Sequence, residues 1–207
     1  MSDGLADNDI FEIFEDSKGR IWLSTYNGNL CYYYKGKFHN STNDPYLSGN
    51  NLNSYITSVF EDINGGIWFG TYNDGVGYLN SNGKFNKISL DKFDTPSTIF
   101  KIISNNRNEI LAVTQEAIVN ITKNEIYHFE NEGLSIGKQN NNQVRGNLID
   151  SCTFMLTEHG NLIKFDICNF NIISKTILPE ADKTAVFANI GSNKNLWVGL
   201  ENSGMLE

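Results

Sequence analysis

The 207-residue sequence predicts an all-β fold in which one small antiparallel unit recurs along the chain, and three observations carry that prediction. First, Trp22, Trp68, Leu111, Phe154 and Trp197, the structural repeat core, recur at spacings of 46, 43, 43 and 43 residues. A period in this range marks units that cannot bury their own apolar faces and must stack on copies of themselves. Second, each unit divides into four short β-like runs separated by Asn, Asp and Gly turns, and no run shows helical periodicity over two or more turns. Third, the second run of a unit is apolar at consecutive positions, as in Ile67-Trp68-Phe69, the pattern of a strand covered on both faces. A blade stacked between two others meets that condition. The fold class is therefore a β-propeller fragment of four-stranded antiparallel blades, about four complete and a partial fifth. A β-helix is the rival, but its coils are shorter and lack four hairpin-linked strands; the Gly-His and Trp-Asp marks of WD40 are missing, and kelch repeats run longer.

In the first blade, Ile10 to Glu15 is followed by an Asp16-Ser17-Lys18-Gly19 turn, Arg20 to Tyr26, an Asn27-Gly28 turn, Leu30 to Tyr34, a Lys35-Gly36 turn, and Lys37 to Asn40. Asn-Gly between apolar runs signals a tight hairpin, because both central residues need positive φ. The second blade repeats the order with Tyr55 to Glu61, Asp62-Ile63-Asn64-Gly65, Gly66 to Tyr72, Asn73-Asp74-Gly75, Val76 to Asn80, and Lys84 to Leu90. The third uses Thr98 to Ser104, Glu109 to Gln115, Ala117 to Thr122 and Glu125 to Phe129. In the fourth, an amide-rich connection from Ile136 to Asn142 leads into an irregular strand near Val144 to Leu148, then Cys152 to Thr157, Leu162 to Ile167 and Asn171 to Ile177. The fifth has Thr184 to Ile190 and Asn195 to Leu200, then ends. The blades occupy roughly 5–45, 50–91, 95–131, 140–178 and 183–205 of a single array over 1–207, the last truncated. Residues 206–207 read as a vector scar, and the chain as a segment excised from a longer protein.

Composition narrows the function. With 40% hydrophobic and 19% charged residues the chain is globular, and a net charge of −8 excludes a sequence-independent nucleic-acid binder, which needs basic patches. No run approaches the length of a membrane helix, so no membrane contact is expected within the segment. Cys31, Cys152 and Cys168 are an odd number in no metal-ligand spacing; they read as small buried hydrophobes in strands, with at least one thiol outside any intrachain pair and no disulfide framework.

The pattern Ile-x-x-x-Phe-Glu-Asp-x-x-Gly-x-Ile-Trp-x-x-Thr-x-x-Gly, running from Ile10 to Gly28 and from Ile56 through Thr71 to Gly75, resembles the two-component regulator propeller repeat. The resemblance is plain in the first two blades and is carried by the period in the third and fourth. It implies large propellers, often in tandem, in the periplasmic sensor region of bacterial hybrid two-component systems, with a membrane helix and histidine kinase elsewhere in the parent chain. The implied role is a non-catalytic, ligand-sensing module for a glycan or oligosaccharide, partnered by the rest of the sensor chain and by a second copy in a homodimer. Streptogramin-lyase-like propellers also repeat an Ile-Trp strand core, so a lyase or hydrolase is the alternative, and an assembly scaffold is a further one.

No catalytic residues are expected: His39, His128 and His159 are scattered, no Gly-x-Ser-x-Gly elbow occurs, and Gly75-Val76-Gly77 opens a strand rather than a phosphate-cradling helix. Neither a metal nor a cofactor is expected. Asp16-Ser17-Lys18-Gly19 and Asp62-Ile63-Asn64-Gly65 lack the bidentate Glu of a calcium loop and read as hairpin turns. The candidate ligand-binding residues are Tyr26, Asn27, Tyr72, Asn73 and Asp74, at the ends of second strands. Such aromatics beside amides suit sugars, since a ring stacks on a pyranose face while Asn and Asp bond its hydroxyls, although the same residues also make plain turns.

Overall fold

The computed structural model describes residues 4–5, 7–25, 30–49, 52, 54–93, 95, 97–134, 146–158, 161–177, 185–190, 195–200 and 204–206. The first sheet contains β1 (Ile10–Glu15), β2 (Ile21–Thr25), β3 (Leu30–Tyr34) and β4 (Lys37–Asn40), and the second β5 (Ile56–Glu61), β6 (Ile67–Thr71), β7 (Val76–Leu79) and β8 (Phe85–Ile88). The third contains β9 (Ile99–Ser104), β10 (Ile110–Thr114), β11 (Ala117–Asn120) and β12 (Glu125–His128). β13 (Gly146–Leu148), β14 (Thr153–Glu158), β15 (Asn161–Asp166) and β16 (Asn171–Ile177) make the fourth, and β17 (Ala185–Ile190), β18 (Leu196–Leu200) and β19 (Gly204–Leu206) the fifth. Each sheet runs in sequence order and pairs antiparallel, so the fold is an all-β array of propeller blades. The fifth blade has a third strand that the sequence reading missed: Leu206 lies opposite Val198, Met205 opposite Gly199 and Gly204 opposite Leu200.

The hairpin between the first two strands is built by one carboxylate. Asp16 Oδ1 accepts from the backbone N–H groups of Lys18 (2.9 Å) and Arg20 (3.0 Å), and Gly19 supplies φ +73°. Asp62 does the same with Asn64 (2.8 Å) and Gly66 (3.0 Å), with Gly65 at φ +74°. The second oxygen then reaches the repeat-core tryptophan: Trp22 Nε1 donates to Asp16 Oδ2 at 2.7 Å, and Trp68 Nε1 to Asp62 Oδ2 at 2.8 Å. The Asp-x-x-Gly-x-Ile-Trp string is thus a clamp in which one side chain forms the turn and orients the indole.

Where the indole is missing, the clamp changes chemistry. In the third blade Asn105 makes the turn, and buried Glu109 accepts from Asn105 Nδ2 (2.8 Å), Asn120 Nδ2 (3.1 Å) and Lys123 Nζ (2.8 Å), tying both hairpin turns together. In the fourth, a disulfide joins Cys152 and Cys168 across a Cα separation of 5.2 Å. This corrects the reading of these cysteines as packing residues. Their 16-residue separation hid the contact, because it is the β14–β15 pairing that sets the two ends side by side. Cys31 stays a buried thiol, as expected.

The chain divides into two compact units, residues 1–103 with 112–114, and 104–111 with 115–207. The core of the first unit is the packing of the first blade on the second, where Trp22, Leu30, Tyr32 and Leu47 meet Ile56, Val59, Ile67, Phe69 and Leu79. Trp22 is fully buried with its ring 5.8 Å from Phe69, so it does fill the gap between stacked blades. Trp68 is only half-buried and packs within its own sheet, 4.4 Å from Tyr78. Trp197 is half-buried too, whereas Leu111 and Phe154 are fully buried. In the second unit, Met155 and Leu162 pack with Val198, and Phe129 meets Phe165 edge to face. Among the described residues no helix is long and apolar enough to cross a membrane.

Candidate functional site

The first strands of successive blades lie side by side in the first unit, and a recurring irregularity aims their side chains. The β1–β2 pairing slips between Ile10 and Glu12, β5–β6 between Ile56 and Ser58, and β17–β18 between Ala185 and Phe187. Each bulge falls eleven residues before the repeat-core residue, at Phe11, Thr57 and Val186. A bulge bends the strand and re-aims the extra residue, so Phe11 and Thr57 reach toward the next blade. The Thr57 hydroxyl donates to the Ile99 carbonyl, and the Phe11 ring stacks on Tyr55.

One position further on, a side chain satisfies the edge of the neighbouring strand. Glu12 Oε2 accepts from the Val59 N–H at 2.7 Å, and Ser58 Oγ accepts from the Ile102 N–H at 3.1 Å. An edge strand leaves such N–H groups bare, and the preceding blade caps them. The equivalent residue in the third blade is Lys101, which has no acceptor to offer; it turns back to Glu12 Oε1 at 2.7 Å. This polar row is committed to holding blades in register.

Of the five candidate ligand residues, Tyr26 and Asn27 lie outside the described residues. Tyr72 follows β6 and is 39% exposed; its backbone N–H donates to the Tyr55 carbonyl at 3.1 Å, and its ring stacks on Tyr55 at 4.7 Å between centroids and 19° between planes. Tyr55 in turn stacks on Phe11 at 5.1 Å and 14°, and Phe11 is 54% exposed. Three rings therefore form a continuous ladder from the first blade to the second. Asn73 is exposed, its N–H donating to Ser54 Oγ at 3.2 Å and its side-chain carbonyl accepting from Thr98 Oγ1 at 3.3 Å. Asp74 belongs to the turn and pairs with Lys87. Gly75, at φ +74°, closes that turn at a place where a Cβ would sit 2.6 Å from the Ile88 carbonyl.

Phe11 and Tyr55 escaped the sequence reading. Strict alternation through Ile10–Glu15 gives Phe11 no separate role, and only the bulge lifts it out of the pleat. No short signal in one sequence marks that bulge.

A histidine and a carboxylate do converge in the first blade. His39 Nδ1 lies 3.3 Å from Asp44 Oδ2, the imidazole stacks on Tyr32 at 4.7 Å and 7°, and the Tyr32 hydroxyl donates to Asp44. Asp44 Oδ1 also accepts from the Tyr46 N–H at 2.9 Å and caps the 3-10 turn Pro45–Leu47. Burial raises the Asp44 carboxyl, but the bonds from Tyr32 and Tyr46 and the His39 charge outweigh it and hold it below its ordinary range. The carboxylate is spent on the connection between blades. Among the described residues no group of three or more His, Cys, Asp or Glu side chains could hold a metal.

Hairpin-linked sheets of sequential order, repeated with a shared turn clamp and a shared bulge, define an array of β-propeller blades. Residues 4–27 and 51–73, in the first two blades, match the model of the two component regulator propeller family. Among solved structures the chain is similar to a streptogramin B lyase, at 21% identity and TM-score 0.68 over 91% of this chain and 61% of that one. It is similar also to the extracellular domain of a protein described as a hybrid two component system of B. thetaiotaomicron, at 16% identity and TM-score 0.71 over 98% of this chain and 29% of that one. A virginiamycin B lyase from Staphylococcus aureus, solved with quinupristin, gives 18% identity and TM-score 0.70 over 94% of this chain and 64% of that one. The chain spans less than two thirds of each, and what is shared at these identities is the fold. No curated protein sequence matches it.

Proposed function

We propose that the chain is a non-catalytic, ligand-sensing propeller segment of an extracytoplasmic, periplasmic sensor in a hybrid two-component system, and that its ligand is a glycan. The observation that carries this reading is the match of the first two blades to two component regulator propeller repeats. The similarity to an extracellular domain described as part of such a system supports it, and so does the Cys152–Cys168 disulfide, a bond that persists in oxidising compartments. Binding would shift the packing of the sensor region or of a homodimer, and the rest of the sensor chain, with its histidine kinase, would read that shift.

The test is a thermal-shift and calorimetric screen of the chain against neutral and acidic oligosaccharides. A true ligand at a hundredfold excess over its Kd stabilises by about 2.7 kcal/mol, which raises Tm by several degrees. No shift and no heat with any oligosaccharide overturns glycan sensing.

The lyase structures favour a second reading, catalysis on the same fold. Mass spectrometry of quinupristin after incubation with the chain separates the two: the sensor reading expects unchanged compound, and an eliminated product establishes the lyase.

A further inference from the structure

We infer that Asp62, Trp68 and Tyr78 on the second blade form a binding site for an external guanidinium group, the head of an arginine. The site stands apart from the glycan-sensing reading, which neither supports it nor depends on it.

The first blade supplies the template. There Asp16 Oδ2 accepts from Trp22 Nε1 at 2.7 Å and from Arg20 Nε at 2.6 Å. The guanidinium carbon of Arg20 lies over the Trp22 ring at 4.9 Å and over the Tyr32 ring at 5.3 Å, and those two rings are 5.0 Å apart. The guanidinium therefore rests against both rings rather than between them, tied to the carboxylate and attracted by two π faces. All four residues are buried.

Forty-six residues on, the second blade repeats this site without its cation. Asp62, Trp68 and Tyr78 stand where Asp16, Trp22 and Tyr32 do, and Gly66 replaces Arg20. The carboxylate keeps its indole, with Trp68 Nε1 donating to Asp62 Oδ2 at 2.8 Å, and the two rings are 4.4 Å apart. What the first blade buries, the second leaves half-buried: Asp62, Trp68 and Tyr78 all reach solvent. Among the described residues no cation pairs with Asp62. Burial pushes the Tyr78 phenol up, and the Asp62 charge adds to it, the mark of a negative field beside the rings. Tyr78 leans over the glycine, its hydroxyl 2.6 Å from where a Cβ would sit, so the place of an arginine stem is closed from the backbone and the group enters from solvent. Lys92 stands where Tyr46 closes the first-blade cage at 5.1 Å, and its ammonium lies over Phe93 at 4.8 Å; the second blade thus supplies two aromatic walls rather than three. A guanidinium suits such a site better than an ammonium, because its planar face lies on a ring while its forked N–H groups reach the carboxylate.

The test titrates ethylguanidinium into the full chain and follows the three tryptophan indole N–H resonances by heteronuclear NMR. A saturable shift of the Trp68 resonance is expected, with Trp22, whose site Arg20 already fills, unmoved. Affinity should fall about tenfold in Asp62→Asn, which removes the charge from a hydrogen-bonded contact, and several-fold in Tyr78→Leu, which removes one ring. Should Asp62→Asn fail to fold, Tyr78→Leu alone carries the test. L-Arginine and acetyl-Gly-Arg-Gly-amide separate the sources of the group: tighter binding of the amino acid assigns a small-molecule ligand, and tighter binding of the peptide an arginine on a protein partner. No saturable shift of Trp68 overturns the site and leaves Tyr78 as the filler of the vacancy. Undiminished affinity in the folded variants overturns it equally. Ethylammonium binding as tightly as ethylguanidinium overturns the guanidinium class.

Discussion

Asp16 and Asp62 occupy the same repeat position, yet one carboxylate does more than the other. Asp16 Oδ2 accepts from Trp22 and also from Arg20 Nε at 2.6 Å, and Arg20 is buried with three rings, Trp22, Tyr32 and Tyr46, within 4.9 to 5.3 Å of its guanidinium. Gly66 stands where Arg20 does, so Asp62 has no cation four residues on. Asp16→Asn therefore leaves a buried guanidinium without its counter-charge and should cost about 3 kcal/mol, whereas Asp62→Asn should cost about 1 kcal/mol for a weakened hydrogen bond. Urea denaturation of the two variants checks the order. The same residue governs acid stability. Burial raises the Asp16 carboxyl, but the bonds from Trp22 and Arg20 and the Arg20 charge prevail and hold it below its ordinary 3.8. Its contribution is complete above that value and is lost as pH falls through the lower native value. Glu109, held below its ordinary 4.5 against burial by Lys123, Asn105 and Asn120, acts in the same direction. Unfolding followed by circular dichroism should show stability falling below about pH 4, with a shallower fall in Asp16→Asn.

At the scale of the element, the blades solve one problem in three ways. The residue two before the repeat core is Arg20 in the first blade, Glu109 in the third and Cys152 in the fourth, and each makes the cross-link its blade needs. The indole clamp binds a turn to its own second strand, the Glu109 network binds two turns, and the disulfide replaces both with a covalent bond. Closing a loop of 16 residues contributes about 3 kcal/mol in the chain-entropy picture. Cys152→Ser should therefore lower stability by about that amount, and dithiothreitol should destabilise the wild type but leave the variant unmoved. Arg107 Nη1, which donates to the Cys168 carbonyl at 3.1 Å, marks the third-blade turn as the place where hydrogen exchange should quicken first.

For the molecule as a whole, equivalent positions with unequal exposure are the telling comparison. Val59 and Leu79 in the second blade are buried against the first, while their counterparts Ile13 and Tyr33 are 65% and 37% exposed. The repeat thus presents on its first blade an apolar face of the kind it covers on its second. Self-association of the chain is the expected result, seen as a concentration-dependent sedimentation coefficient that Ile13→Lys abolishes. A monodisperse monomer at high concentration contradicts it.

What the sequence determined by itself is what repeats. The spacing of Trp22, Trp68, Leu111, Phe154 and Trp197, with turn residues at fixed offsets, specifies four-stranded antiparallel units, because local hairpin chemistry and double-sided burial leave their period in the residues. The Asp-to-Trp bond was hidden inside that same motif, legible as a pattern but not as a contact. Only the tertiary structure decided the features that join residues far apart: the Cys152–Cys168 bond, the Glu12 and Ser58 caps on the next blade's N–H groups, and the ladder of Phe11, Tyr55 and Tyr72. Each depends on a register or a bulge between strands, and one residue of slip sends a side chain to the opposite face of its sheet.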